Sequence, residues 1–194
     1  MDVGVLDVQG DVTEHVAALM KASDSLGLKI HVHRVKTPQD IKAMSALVLP
    51  GGESTTVGRL MERYGMDSAL RDVASEVPIL GTCAGMVMFS SEGGNMKEGQ
   101  KLLGLFDARV ERNAYGRQRE SFEAELDIPV LGKKSFPGIF IRAPALERVW
   151  GRCRVLCRHD GKIVLVQQDN ILACAFHPEL TEDMRLHEYF LEMI

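Results

Sequence analysis

The stretch Pro78-Ile79-Leu80-Gly81-Thr82-Cys83-Ala84-Gly85-Met86-Val87-Met88 decides how this chain is read. It begins as an apolar run fit for a buried strand, breaks at Gly81-Thr82-Cys83-Ala84-Gly85, and resumes as an apolar helix. A residue squeezed between two glycines at a strand-to-helix junction lies on a sharp turn that lifts its side chain above the sheet and leaves neighbouring N–H groups free. At the head of a helix, Cys83 also meets unpaired N–H groups and a macrodipole that favour a thiolate over a thiol. These are the conditions of a nucleophile, which needs a base, an orienting acid and an anion hole elsewhere in the chain.

Outward from this stretch the pattern repeats. Residues 3–8 form a short β-branched run ending at Gln9-Gly10, and Asp11 with Glu14 resembles a capping box opening a helix to about Leu26. Residues 29–35 alternate as a second strand, and residues 41–44 form a brief helix before the strand Ala46-Leu47-Val48-Leu49. That strand stops at Pro50-Gly51-Gly52-Glu53-Ser54-Thr55, after which Val57, Leu60, Met61 and Tyr64 recur at helical spacing and a further helix spans about 66–75. Strands alternating with helices at this interval predict right-handed βαβ units and an open, mostly parallel α/β sheet with helices on both faces.

From about Leu103 the texture changes to short alternating runs at 105–112, 121–128, 138–142, 155–158 and 163–167. These predict antiparallel or mixed strands that extend the same sheet or form a side sheet. The chain closes with a strand at 171–176, then His177-Pro178-Glu179, then a helix over 183–194. With no repeat, low-complexity tract or linker, residues 1–194 read as one domain.

Composition sets the outer limits. The chain is 45% apolar and 26% charged, which excludes a disordered or fibrous class. A net charge of −4 without a concentrated Lys/Arg patch argues against nucleic acid as a partner. No window approaches the roughly 18 continuous apolar residues of a membrane span, and the first residues lack the basic region of a signal peptide. A cytoplasmic protein is expected, with cysteines 83, 153, 157 and 174 as reduced thiols.

In an open α/β sheet the ligand crevice lies beyond the carboxyl ends of the strands, so the turns at Gln9-Gly10, 50–55, 81–85 and 177–179 are expected to converge. His177 precedes a proline, which biases it toward extended geometry, where residues i and i+2 point the same way. Glu179 then lies beside the imidazole, giving Cys83, His177 and Glu179 the logic of a catalytic triad. The 50–55 turn offers backbone for close approach to a ligand and Ser54 or Thr55 as a helix cap. The N–H groups of Gly52 and Ala84 would make a two-donor oxyanion hole, an arrangement whose loss costs about 2.7–4 kcal/mol in activation free energy.

Other candidates have blander readings. Cys153, Val155 and Cys157 share one strand face near His159, which fits buried packing better than a metal cluster. His31 and His33 read as a polar edge face, His187 as a surface residue, and Met86 and Met88 as core filling or the start of a tunnel. No metal or other cofactor is called for.

With these residues placed, the sequence resembles the class I (triad) glutamine amidotransferases and, within them, the glutaminase subunits of pyridoxal phosphate synthase. The match covers nearly the whole chain. It rests on Gly-Thr-Cys-Ala-Gly, Leu-Asp-Val-Gln-Gly-Asp-Val near the start, Pro-Gly-Gly-Glu-Ser-Thr-Thr at 50–56 and Glu-Arg-Asn-Ala-Tyr-Gly-Arg-Gln at 111–118. Ser-Phe-Glu at 121–123, Phe-Ile-Arg-Ala-Pro at 140–144 and Phe-His-Pro-Glu-Leu-Thr-Glu-Asp at 176–183 complete it.

The resemblance implies a three-layer, flavodoxin-like fold and hydrolysis of L-glutamine to glutamate and ammonia. The ammonia would pass through a tunnel to a barrel-shaped synthase subunit, within a large hetero-oligomer that makes pyridoxal phosphate. It implies Cys83 as the nucleophile forming a glutamyl thioester, His177 as general base and acid, and Glu179 as its orienting partner. Gly52, Glu53 and Ser54, with Arg112 and the Ile141-Arg142 pair, match the glutamine-binding residues; an arginine fork suits the α-carboxylate in a way that Lys does not. Gln9-Gly10 matches the segment at the subunit interface, and Asp7 stands where these proteins usually carry an apolar residue. A glutaminase serving another synthase, and a catalytically silent or redox-sensing protein on the same fold, are the alternatives.

Overall fold

The computed structural model describes residues 1–97, 99–116 and 120–194. Arg117 and Gln118, the end of the 111–118 motif, lie outside the described residues. The chain starts as β1 (Asp2–Leu6), α1 (Val12–Leu26), β2 (His31–Val35), α2 (Pro38–Ala43), β3 (Ala46–Leu49), α3 (Ser54–Arg63) and α4 (Met66–Val73). It continues as β4 (Ile79–Thr82), α5 (Ala84–Phe89), β5 (Ser90–Gly94), β6 (Phe106–Glu111), β7 (Ser121–Leu126), β8 (Phe136–Ile141) and β9 (Ala145–Val149). The last elements are β10 (Arg154–His159), β11 (Lys162–Gln168), β12 (Ile171–Cys174) and α6 (Arg185–Leu191).

The strands order as β2-β1-β3-β4-β12-β11-β9-β6-β5, with β10 paired to β11 as a hairpin. The first five are parallel neighbours, and they include the near-continuous apolar runs Ala46–Leu49, Ile79–Thr82 and Ile171–Cys174, buried throughout. A strand covered on both faces has no polar side to alternate with, which is why these runs lack period two. Beyond β12 the sheet turns antiparallel through β11, β9 and β6, while β5 pairs parallel to β6. The second half also forms a two-stranded antiparallel ribbon of β7 and β8, so it both extends the main sheet and adds a side sheet.

Helix α1 packs with α6, whereas α4 packs with α2 and α3, and α3 with α5. Right-handed crossovers put these two groups on opposite faces, giving the three-layer, mostly parallel α/β fold read from the sequence. Two strands escaped that reading. Ser90-Ser91-Glu92-Gly93-Gly94 carries no β-forming residues, and β5 exists because it pairs with β6. Ala145–Val149 follows a proline with little alternation and is held between β6 and β11.

The helix start at Asp11 is also different. Asp11 is the cap residue of α1, but its side chain makes no capping hydrogen bond; a capping box forms instead at Thr37 and Asp40, ahead of α2. Asp7, at the end of β1, is neutralised by Lys36 Nζ at 3.4 Å and Arg34 at 3.9 Å, so the departure at this position is a surface ion pair. On the edge strand β2, Asp2 Oδ1 stands 2.7 Å from His33 Nε2 and 3.6 Å from His31 Nδ1, a polar edge as expected. Met86 and Met88 are buried in the core, as are Cys153 and Cys157, whose thiols burial pushes up to about 11. Cys153 precedes β10 rather than lying on it.

The junction after β4 is tightly packed against the neighbouring strand. A Cβ on Gly85 would lie 2.5 Å from the carbonyl oxygen of Leu49, closer than non-bonded atoms tolerate. Since the obstacle is backbone of the neighbouring strand, no rotamer change relieves it. Gly85→Ala is expected to lower unfolding free energy by about 2–3 kcal/mol, read from urea denaturation of both proteins.

Candidate active site

The carboxyl ends of β1, β3, β4 and β12 lie side by side, and their four following turns meet. Glu53 N–H donates to Gln9 Oε1 at 3.1 Å, tying the first turn to the second. A Cβ on Gly51 would stand 2.6 Å from His177 Cε1 and 3.4 Å from Cys83 Cβ, so the second turn is pressed against the third and fourth. Only glycine lets that backbone approach so closely.

Cys83 has φ +47 and ψ −99, a region that side-chain-bearing residues rarely occupy. Its N–H donates to the Cys174 carbonyl at 2.8 Å, which extends the β4–β12 pairing to the turn itself. The thiol Sγ lies 3.9 Å from the Ile141 carbonyl at the end of β8, and the side chain is 7% exposed. Strain of this kind persists only where surroundings over-determine it, and here two strands and a short helix do so.

His177 N–H donates to the Ile139 carbonyl at 2.8 Å, so β8 also holds the fourth turn. Its ring Nδ1 lies 2.7 Å from Glu179 Oε1, with both side chains buried. The i, i+2 pairing is therefore present, but not through an extended segment: Pro178–Leu180 is a single 3-10 turn. Pro178 pre-sets the φ that starts such a turn, and Glu179 is carried round beneath the ring. Asp11 Oδ2 lies 3.4 Å from the same Nδ1, which is why it does not cap α1. Asp11, His177 and Glu179 thus bring one potential ligand atom each within 4.8 Å of one another, although Glu179 already takes up His177 Nδ1.

The electrostatics follow from burial. Desolvation opposes charge on His177, but hydrogen bonds and attraction to Cys83 and Glu179 outweigh it and raise its pKa to about 10. Burial pushes the Glu179 carboxyl up, partly offset by the hydrogen bond from His177. Burial likewise pushes the Cys174 thiol well up.

Beside the triad lies a polar cluster. Glu53, rather than Ser54 or Thr55, caps α3: its Oε2 accepts from Thr56 N–H at 2.9 Å, and such bonds hold its carboxyl near 2 against desolvation. Arg112 follows β6 and donates to Glu53 Oε1 at 2.8 Å and to Gln100 Oε1 at 3.1 Å. Gln100 Nε2 donates in turn to Ser54 Oγ at 3.0 Å. Arg142 follows Ile141 at φ +42, with its N–H on the Glu120 carbonyl at 2.6 Å and its side chain exposed. Thus Glu53, Ser54 and Arg112 gather with Gln100 beside Gly52, and Ile141 borders Cys83 from the end of β8, with the exposed Arg142 next in the chain. Ala84 follows Cys83 as the first residue of α5, and Gly52 has φ +129.

Sequence reasoning missed Gln100, Asp11 and His15, and misread His187. Gln100 lies in a loop without periodicity and left no signal. His187 is fully buried, not at the surface, and its Nε2 stands 3.4 Å from His15 Nδ1. His15 was legible in principle, because it falls on the apolar stripe of α1 with Val12, Leu19 and Ala22.

The raised pKa of His177 yields a direct expectation. Because the folded value lies above the unbound 6.5, the stability this pairing contributes is complete below about pH 6.5 and is lost as pH rises through about 10. Cys83→Ala removes one of the two partners, so the His177 ring should titrate at lower pH than in the parent, measured by NMR of its ring protons. An unchanged titration would mean that Glu179 alone sets it.

The comparisons with known proteins agree with this geometry. Residues 5–194 match the SNO glutamine amidotransferase family. A curated relative from Methanosarcina mazei, pyridoxal 5'-phosphate synthase subunit PdxT, is 47% identical over 197 residues, covering 100% of this chain and 98% of the relative. The subunit of that name from Thermotoga neapolitana is 47% identical over 195 residues and 100% of both chains. A crystal structure of a glutamine amidotransferase superposes with TM-score 0.86 at 44% identity, covering 98% of this chain and 97% of that one. The glutaminase domain of Trypanosoma brucei CTPS, at 9% identity, shares the fold with TM-score 0.64. The chain belongs to the SNO glutamine amidotransferase family.

Proposed function

We propose that this protein hydrolyses L-glutamine to L-glutamate and ammonia as the glutaminase subunit of a pyridoxal 5'-phosphate synthase. The observation that carries the reading is the strained, buried Cys83 beside a histidine whose far nitrogen is held by a buried carboxylate at 2.7 Å. That arrangement is built for acyl transfer.

In the proposed reaction His177, charged at neutral pH, already carries at Nε2 the proton given up by Cys83, and Cys83 Sγ attacks the side-chain amide carbon of glutamine. The N–H groups of Gly52 and Ala84 receive the oxyanion. Collapse expels the amide nitrogen, which takes the proton from His177 and leaves as ammonia, with a glutamyl thioester on Cys83. His177 then takes a proton from water, the hydroxide attacks the thioester, and glutamate departs with the thiol restored. Glu179 stays ionised and orients the ring throughout. Gly52, Glu53, Ser54, Ile141 and the guanidinium groups of Arg112 and Arg142 form the glutamine subsite.

The ammonia goes to the synthase subunit, a barrel-shaped partner in a large hetero-oligomer, and the whole works in the cytoplasm. The four cysteines, all buried free thiols, support that compartment, and no described helix is long and apolar enough to cross a membrane. The Gln9–Glu53 hydrogen bond links the turn expected at the subunit interface to the loop that carries Gly52. A partner that grips Gln9-Gly10 therefore acts on the anion hole, and the isolated chain is a poor glutaminase.

Glutamate release from L-glutamine, with and without the cognate synthase subunit, tests this. Release is expected to require the synthase and to vanish in Cys83→Ala. No release in the presence of a synthase shown to bind would overturn the reading. Arg112→Lys keeps the charge but loses the fork between Glu53 and Gln100, and should raise KM for glutamine about tenfold with a smaller effect on kcat.

A further inference from the structure

Behind the triad lies a second layer of buried polar groups that the reaction above does not use. Glu179 Oε1 accepts from His177, but Oε2 is buried without a hydrogen bond of ordinary geometry, and the donor facing it is His15 Nε2 at 3.3 Å. The same Nε2 lies 3.1 Å from Thr82 Oγ1, on the residue immediately before the nucleophile. On its other side, His15 Nδ1 stands 3.4 Å from His187 Nε2, and His187 Nδ1 is buried without a partner. His15, Thr82 and His187 are all completely enclosed.

The tautomers can be argued from these contacts. If His15 carried its proton on Nδ1, the Nε2 lone pair would face the Oε2 lone pairs, and His187 would have to carry its own proton on an unpartnered Nδ1. With the proton on Nε2, His15 faces Glu179 and Thr82 as a donor, and its Nδ1 accepts from His187 Nε2–H. The one group then left unpaired is a lone pair on His187 Nδ1, which is less costly to bury than an orphaned N–H donor. Burial, with His187 and His177 close by, holds His15 well below the ordinary histidine range, and burial alone lowers His187 to about 4, so both rings are neutral at physiological pH.

We propose that His15 is a positioning residue for the triad: a neutral Nε2–H tautomer, fixed by His187, that donates to Glu179 Oε2 and Thr82 Oγ1. It thereby joins the carboxylate that orients His177 to the strand end that carries Cys83. Its kinetic consequence rests on the glutaminase reading; the tautomer itself does not. The ionisable groups facing Glu179 are His177, Asp11 from the turn before α1, Cys174 at the end of β12, and His15. Of these, His15 is the one that faces Oε2, so its loss makes the carboxylate more basic.

The experiment uses the full chain with its synthase subunit. His15→Leu should lower kcat about tenfold with KM within about twofold, and should move the acid limb of the pH–rate profile up by about one unit. His15→Gln places an N–H donor near the Nε2 position and should restore most of both. Equal losses in the two variants with an unmoved acid limb would reduce His15 to packing and overturn the proposal. Two readouts stand apart from turnover. Ring 15N NMR of the parent should show His15 neutral with its proton on Nε2 between pH 6 and 8, and an Nδ1 proton overturns the proposal even if His15→Leu fails to fold. The pH dependence of Cys83 alkylation by iodoacetamide should shift in His15→Leu and recover in His15→Gln. If the parent hydrolyses no glutamine, the glutaminase reading falls while these two arms still decide the role of His15.

Discussion

The backbone at Cys83 is the constraint on which the rest of the structure depends. A non-glycine residue at φ +47 and ψ −99 costs on the order of 1–3 kcal/mol, which something nearby must offset. The offset is visible in the placement of β4 between β3 and β12, at the most completely buried part of the sheet. The Cys83 N–H prolongs the β12 pairing, and Gly85 lets the next helix turn settle onto the Leu49 carbonyl. A cysteine on a loop would be free to relax into an ordinary conformation and would lose its aim. Here relaxation would break strand pairing in the core.

Burial does the second part of the work, because it makes each polar contact at the site strong and each missing contact costly. Glu179 is enclosed, so its charge persists only while His177 engages one oxygen and a donor faces the other. His177 is raised in turn because Cys83 and Glu179 flank it in a place water scarcely reaches. The Glu53–Arg112–Gln100–Ser54 cluster is built on the opposite principle. It is partly solvated, its ion pair is screened, and it trades strength for adjustability at the mouth through which a polar substrate must enter.

Legibility in the sequence divides along the same line. The parallel strands, the four turns and the residues Cys83, His177 and Glu179 could be read because each rests on a local pattern: an apolar run, a pair of glycines, a proline between two functional groups. The elements that escaped exist only through partners distant in sequence. Ser90–Gly94 is a strand because β6 offers it hydrogen bonds. Asp11 has the sequence of a cap, yet tertiary geometry turns it toward His177. His187 sits in a short helix with charged neighbours, and only the packing of α6 on α1 buries it against His15. Even Glu179 was placed correctly through the wrong local geometry, since a 3-10 turn brings it to the position expected of an extended chain.

The antiparallel half of the chain explains why the fold is larger than the parallel unit that carries the nucleophile. Strand β8 supplies the Ile139 carbonyl that fixes the His177 backbone and the Ile141 carbonyl beside Cys83 Sγ, and leads into the exposed Arg142. Strand β6 leads into Arg112, whose guanidinium reaches Glu53 at the head of α3. Neither strand bears a group that reacts in the proposed chemistry. In the proposed chemistry the parallel half carries the reacting groups and the 50–55 loop, and the antiparallel half adds Ile141, Arg112 and Arg142 to the substrate side. The two halves share one sheet through the β12–β11 pairing and divide the labour only at the crevice, so a change at Arg112 is expected to act mainly on binding and one at Cys83 on turnover.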